Sequence, residues 1–98
     1  MLAYDLKSRM EFEWDAIKAR ANERKHGISF FEASEVFGDD YSSCTHDPDH
    51  SHDEERYLLF GVSSQGNFLV VSYVQRGDTI RIISARRMTR QERNAYEQ

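Results

Sequence analysis

The sequence predicts an α+β domain in which the helices and most of the strands occupy separate blocks of the chain. After one short strand pattern, two short helical patterns lie between residues 15 and 38. Three strand-like runs then follow with only short turns between them, which favours an antiparallel meander. A final helix completes the order. We therefore expect an antiparallel sheet of about four strands, packed against the two N-terminal helices, with one C-terminal helix.

The first predicted elements are a short strand and a helix. Residues 11–14, EFEW, alternate polar and apolar side chains as a half-buried strand does. Asp15 is suited to cap a helix that we expect over residues 16–26. Gly27 suits the left-handed position just after the end of that helix.

The second predicted helix is marked by its start signal and its apolar face. Ser29 and Glu32 have the spacing of a capping box, and Gly38 ends the helix. Apolar side chains recur at helical spacing along it, so one face is expected to join the core. These side chains are Phe30, Ala33 and Phe37.

The second half of the chain carries the strand signals. The stretch 39–56 is polar and holds the single proline, with a short strand expected near 40–45. Runs rich in β-branched and aromatic residues follow at 57–62, 68–75 and 79–86. Thr89 and Glu92 form a second capping box, which starts a helix that continues through about Tyr96.

Charge is segregated along the chain although the net charge is only −4. No lysine or arginine lies between Lys25 and Arg56, whereas nine acidic residues do. From Arg76 onward there are six arginines and three acids. The mean charge argues against a general polyanion binder, but a local basic patch can hold a phosphate on an acidic protein.

The length of 98 residues fits one domain, which we place at 10–98, with 1–9 as a tail or extension. The single cysteine, Cys44, excludes an internal disulfide and suits a reducing compartment. No run approaches the roughly 18 apolar residues of a membrane span. We therefore expect a cytoplasmic protein without a membrane partner.

Four segments in series resemble the BrnT family, which comprises small bacterial ribonuclease toxins of type II toxin–antitoxin systems. The segments are FEWD at 12–15, RKHGISFFEASEVF at 24–37, EERY at 54–57 and TIRIISARRMTRQERNAYE at 79–97. The resemblance covers roughly residues 10–97. It implies a RelE-like fold with a curved antiparallel sheet, and RNA cleavage without a metal or any other cofactor.

The resemblance also implies partners. These are the RNA substrate and a BrnA-like ribbon-helix-helix antitoxin, which would hold two toxins in a 2:2 heterotetramer. Operator DNA would be contacted only through that antitoxin.

RNA cleavage without a metal uses the substrate's own 2′-hydroxyl group. A base removes its proton, the oxygen attacks the neighbouring phosphorus, and an acid protonates the departing 5′-oxygen. Because the transition state carries extra negative charge, fixed guanidinium groups stabilise it more than the ground state. DNA lacks the 2′-hydroxyl and cannot follow this path.

His26 is the first candidate for acid–base catalysis, since a histidine gives or takes a proton near neutral pH. Lys25 could hold a phosphate or stabilise the leaving oxygen. The alternative for both residues is a simple role at the helix end. Glu55 could act as a base or orient an arginine, with an exposed strand-edge charge as its alternative.

Arg81 and Arg86 are the arginines expected in the catalytic site. In a regular strand they point to opposite faces, and only a bulge or sharp twist before Arg86 would bring them together. The alternative for Arg81 is an ion pair with Glu55 or another acid. The alternative for Arg86 and Arg87 is a salt bridge to the acidic middle of the chain or to the antitoxin.

Four arginines are expected to bind RNA outside the catalytic groups. They are Arg56, Arg87, Arg90 and Arg93. Arg90 and Arg93 could instead meet the antitoxin or lie on a solvated helix face, and Arg56 could be an exposed strand-edge charge. The polar loop also carries residue types that ligate zinc or nickel, but their spacing matches no closed metal site, and we expect no metal. These residues are Cys44, His46, Asp47, Asp49, His50, His52 and Asp53.

Two other functions remain open from the sequence. The first is a catalytically inactive, antitoxin-binding co-regulator of the operon, which would keep the fold without the enzyme. The second is a regulator that binds metal or nucleic acid through the histidine-rich loop at 46–52.

Overall fold

The computed structural model describes residues 2–5 and 10–98 of the chain, and it is an α+β structure as predicted. Its elements are β1 (Leu2–Asp5), β2 (Met10–Glu13), α1 (Ala16–His26), α2 (Phe30–Glu35), β3 (Ser43–His46), β4 (Arg56–Val62), β5 (Phe68–Arg76), β6 (Thr79–Arg87) and α3 (Arg90–Tyr96). Single 3₁₀ turns at Val36–Gly38 and Pro48–His50 lie between them. No helix among the described residues has the length and apolarity that a membrane crossing needs.

The strands form one mixed sheet in the order β1-β2-β6-β5-β4-β3. The expectation of about four antiparallel strands is therefore wrong in number and in direction, because the described part of the chain contributes six strands and one parallel pair. Glu11 to Glu13 of β2 run parallel to Thr79 to Arg81 of β6. A four-residue strand carries too little sequence to indicate its partner, and two helices and three strands, β3 to β5, separate the two in the chain.

The N-terminal segment lies partly within the sheet. Leu2–Asp5 pair antiparallel with β2, whereas residue 1 and residues 6–9 lie outside the described residues. The domain boundary at residue 10 and the tail at 1–9 stay predictions.

The helix caps follow the sequence signals closely. The Asp15 carboxylate accepts hydrogen bonds from the backbone N–H groups of Ile17 and Lys18, at 2.9 and 3.0 Å. The bond from Lys18 lowers the pKa of Asp15. Gly27 ends α1 at φ 71°, in the left-handed region expected for it. The capping box of Thr89 and Glu92 is complete.

The Ser29 cap is only half of the capping box that the spacing predicts. Its hydroxyl accepts the backbone N–H of Glu32, but the Glu32 carboxylate turns away from the helix end. It accepts instead from the side chains of Ser63 and Asn67, at 2.7 and 2.6 Å. A buried carboxylate therefore ties α2 to the turn between β4 and β5.

The core lies between one face of the sheet and the two N-terminal helices. Its fully buried members include Phe12, Trp14, Ile28, Phe30, Ala33, Val36, Leu69, Val71, Ile80, Ile82 and Ala85. Helix α3 lies on the opposite face. Its Tyr96 ring packs edge-on against Phe68, with centroids 6.0 Å apart, and no residue of α3 is buried.

A β-bulge interrupts β6 at Ile83. Ser72 pairs with Ser84, but the next residue of β5, Tyr73, pairs with Ile82, so Ile83 is the extra residue. Beyond the bulge, each side chain of β6 points to the opposite face of the sheet from the one that regular alternation would give it. Arg81 and Arg86 consequently project from the same face, which is the rearrangement that a regular strand forbids.

Beyond the bulge, β6 is held from the helix side by one buried amide. The Asn22 side chain of α1 accepts the backbone N–H of Ala85 at 3.1 Å and donates to its carbonyl at 2.9 Å. It also donates to the carbonyl of Ile28 at 3.1 Å. Asn22 thus substitutes for a neighbouring strand along the part of β6 that β2 does not reach.

We predict that Asn22→Ala lowers the free energy of unfolding by about 3 kcal/mol, because it leaves buried backbone groups of Ala85 and Ile28 without partners. Urea unfolding followed by circular dichroism measures the change. Asn94→Ala, on the exposed surface of α3, is the matched control and should change stability by less than about 0.5 kcal/mol. Equal stability of the two variants would show that the Asn22 amide contributes no net stability.

Candidate functional site

Three of the predicted site residues lie where the end of α1 approaches the end of β6. The Arg87 Nη1 group donates a hydrogen bond to the backbone carbonyl of His26 at 2.9 Å. Lys25 precedes His26 in the last turn of the helix. We call these three residues, Lys25, His26 and Arg87, the β6 corner.

Local structure explains why the corner forms. The bulge at Ile83 turns Arg87 toward the helix side of the sheet, where its register partner Leu69 is fully buried. Asn22 fixes the distance between α1 and β6 one helical turn before His26. The last carbonyls of a helix lack partners within it, and Arg87 satisfies one of them.

The corner combines positive charge with an imidazole. The side chains of Lys25 and Arg87 are exposed and His26 is half-buried. Within residues 2–5 and 10–98, no carboxylate forms an ion pair with either cation. One Arg87 N–H group bonds the helix, and the guanidinium presents further donors to an incoming anion.

Arg86 has a different environment because it projects from the other face. Its two terminal nitrogens donate to the Glu92 carboxylate at 2.7 and 3.0 Å. This paired contact lowers the pKa of Glu92 to about 2 and raises that of Arg86. The partner belongs to α3 and not to the acidic middle of the chain. Arg86 therefore anchors α3 with a charge that is already compensated.

Arg81 lies in a separate group of charges on the same face as Arg86. It is 3.5 Å from Glu13, which also contacts Arg76 at 3.4 Å. Arg76 holds Glu54 through two bonds of 2.6 and 2.7 Å, and this contact lowers the pKa of Glu54. Arg81 thus forms the ion pair expected as the alternative to a catalytic role, and its partner is Glu13.

The structure does not bring Arg81 to His26. Arg81 and Arg87 lie about 20 Å apart along β6, at roughly 3.3 Å per residue, and on opposite faces. Arg56 belongs to the Arg81 group, since both residues are register partners of Val74. Its Nε is buried and has no hydrogen-bond partner among the described residues.

Glu55 is also distant from the corner. Its carboxylate bonds the His46 ring beside a cavity of about 530 Å³ at the β3–β4–β5 end of the sheet. Cys44 and Tyr73 also line this cavity, and their side chains bond each other at 3.1 Å. Burial is the main cause that raises the pKa of Tyr73. The two carboxylates that line the cavity thus pair with residues outside the lining, Glu55 with His46 and Glu54 with Arg76.

The two remaining arginines lie on α3. Arg93 bonds Glu97 at 2.8 Å, and its guanidinium lies 3.9 Å above the Phe68 ring, so it packs the helix onto the sheet. Arg90 begins α3, three residues after Arg87, and is exposed. No group of three or more histidine, cysteine or carboxylate side chains in the described ranges is arranged to hold a metal ion.

Two residues that shape the site were not identified from sequence. Asn22 is spaced four residues before His26, so it shares a helix face with it, but no local sequence pattern predicted that its amide would be buried. Glu92 was recognised as a capping residue only. Its second role, holding Arg86, had no local signal because it depends on which face Arg86 occupies.

Comparison with known proteins finds a family model and a solved structure that resemble this chain. A family model described as ribonuclease toxin, BrnT, of type II toxin–antitoxin system matches residues 14–92. The fold is similar to the crystal structure of the Brucella abortus ribonuclease toxin, BrnT, with a TM-score of 0.59 and 21% identity. That similarity covers 81% of this chain and 96% of the other. No curated protein sequence matches the chain.

We predict that acid removes the contribution of the Arg86–Glu92 contact to the stability of the protein. The pKa of Glu92 is lowered from 4.5 to about 2 in the fold, so the Arg86 contact stabilises the protein above pH 4.5 and is lost as the pH falls toward 2. The stability difference between the wild type and Glu92→Gln should be constant from pH 7 to 5 and shrink below 4.5. Thermal unfolding at several pH values measures it, and a difference that persists at pH 2 would contradict this assignment.

Proposed function

The chain belongs to the BrnT family of ribonuclease toxins of type II toxin–antitoxin systems, and from this membership we propose that it cleaves RNA at the β6 corner. The observation that carries the proposal is the contact of Arg87 with the carbonyl of His26. It holds the Arg87 guanidinium against the end of α1, where the exposed Lys25 and the half-buried His26 are consecutive residues.

The three side chains match the demands of cleavage through the 2′-hydroxyl. His26 carries out one of the two proton transfers, which contributes roughly 10²–10⁴ in rate. Arg87 holds the phosphate and stabilises the charge that develops on it in the transition state. Lys25 stabilises the departing oxygen. Because these groups supply both proton transfer and positive charge, the proposed reaction needs no metal ion.

The other predicted residues take supporting roles in this proposal. Arg90 extends the RNA contact from the corner along α3, while Arg86 and Arg93 hold that helix in place through Glu92 and Phe68. Arg81, Arg56 and Glu55 are too distant to touch the same phosphodiester. We assign the two arginines to contacts with a more remote part of the RNA, and Glu55 to its pair with His46.

A protein antitoxin is the partner that a type II system implies. We propose that it is a BrnA-like ribbon-helix-helix protein that binds two copies of this chain in a 2:2 complex and mediates any contact with operator DNA. The bacterial cytoplasm, where RNA and antitoxin are both present, is the proposed location.

One observation favours the alternative of an inactive, antitoxin-binding co-regulator. Two of the arginines expected to be catalytic, Arg81 and Arg86, are paired with Glu13 and Glu92. The experiment on His26 that follows decides between the two functions, because an inactive protein would be harmless whatever residue stands there.

We predict that expression of the chain alone arrests bacterial growth and that His26→Ala relieves the arrest. Purified His26→Ala should cleave RNA about 10²–10⁴-fold more slowly than the wild type, because it lacks the group that transfers a proton. The matched control is His52→Ala, an exposed histidine of the polar loop, which should cleave at the wild-type rate. Wild-type cleavage by His26→Ala would remove the β6 corner from the mechanism. If the wild type neither arrests growth nor cleaves RNA, the protein is the inactive, antitoxin-binding co-regulator.

We further predict that one 2′-deoxynucleotide on the 5′ side of the scissile phosphate blocks cleavage at that bond, because the attacking oxygen is absent. EDTA should leave the rate unchanged. Mass spectrometry of the products should show a 2′,3′-cyclic phosphate or the 2′- or 3′-phosphate that forms from it. Loss of activity in EDTA that is restored by a divalent ion would show that the mechanism uses a metal.

A further inference from the structure

The outer surface of α1 and α2 exposes large apolar side chains beside positive charge. Among the described residues, Ile17 is 69% exposed, Phe31 is 52% exposed, and the one other large exposed hydrophobic residue, Tyr41, lies elsewhere. Phe31 stands edge-on to Trp14, with ring centroids 5.0 Å apart. An apolar ring left half in water at the mouth of a groove is typical of an interaction surface.

The groove runs between the two helices. It is lined from α1 by Ala16, Ala19, Arg20 and Glu23, from α2 by Phe30 and Phe31, and by Trp14 and Ser29. Its volume of about 160 Å³ is well below the roughly 300–1,000 Å³ of small-molecule pockets. It is therefore too small for a nucleotide and suits one large apolar side chain.

The border of the groove determines the charge of its occupant. Ile17, Arg20 and Arg24 follow at spacings of three and four residues, so they form one ridge of α1. Lys18 and Lys25 add two further exposed cations to the same helix, against one acid, Glu23. A partner that fills the groove and pairs with the ridge must carry an apolar side chain flanked by carboxylates.

We propose that this groove is the docking site for an acidic amphipathic helix of the protein antitoxin. The helix inserts one large apolar side chain into the groove beside Phe31 and places its carboxylates along the Arg20 and Arg24 ridge. This inference rests on the proposed function, because it takes the partner to be the antitoxin of a type II system. It also explains inhibition, since α1 ends at Lys25 and His26. Carboxylates bound there compete with the phosphates of RNA for the β6 corner.

The test measures binding of the protein encoded by the neighbouring open reading frame to purified His26→Ala, by isothermal titration calorimetry. This background allows expression whether or not the wild type is toxic. Ile17→Ser and Phe31→Ser should each weaken binding at least tenfold. Tyr41→Ser, which removes an 86% exposed ring from a different surface, is the matched control and should bind as the parent does. Affinity should also fall as salt rises from 0.05 to about 0.5 M, because the ridge contacts are screened.

Because the Ile17 side chain makes little contact with the core, Ile17→Ser should fold normally. Circular dichroism checks the fold of each variant. Full affinity of both Ile17→Ser, on the ridge, and Phe31→Ser, in the groove, would overturn the proposal. Equal loss in Tyr41→Ser, or absence of any binding to the parent, would do the same. These outcomes are independent of RNA cleavage. A ribonuclease that loses its activity with His26 but binds its antitoxin through another surface would refute the docking site alone.

Discussion

The buried amide of Asn22 is the contact on which the geometry of the candidate site depends. It pairs with both backbone groups of Ala85 and with the carbonyl of Ile28, so one side chain joins α1, the turn after it and the free part of β6. A buried amide with three bonds has little freedom to move. The ends of α1 and β6 are therefore held in one relative position, which sets the distance between His26 and Arg87.

The distribution of paired and unpaired charge separates two kinds of arginine in this fold. Arg76, Arg81 and Arg86 each face a carboxylate, and these ion pairs join strands and anchor α3. Arg87 contacts only a backbone carbonyl, and Lys25 pairs with no acid in the described part of the chain. An anion binds most readily where positive charge is not already neutralised. The partners of each guanidinium group in the fold therefore indicate an anion-binding arginine better than its position near a sequence motif does.

Much of the fold was predictable because its signals are local. The caps at Asp15, Gly27 and Thr89 and the three strands of the meander lie where propensity and turn chemistry place them. Strand pairing at the other end of the sheet was not predictable, since the parallel contact of β2 with β6 joins residues almost 70 positions apart. The side-chain directions after Ile83 depend on a β-bulge, and no glycine or other turn residue in the sequence predicts that bulge. Both difficulties affect the candidate site. The sequence showed which residue types to consider, but it did not show which of them lie on which face of the sheet.

Helix α3 contributes little apolar burial of its own. It is attached through Glu92 to Arg86, through the Tyr96 hydroxyl to Asp39 at 2.9 Å, and through the rings and guanidinium that meet at Phe68. Regions held by few buried apolar contacts open independently of the rest of a domain. We therefore expect the last helix to open as a separate unit. Detachment of α3 would expose Phe60 and Phe68 to solvent, while the sheet and the two N-terminal helices would stay folded.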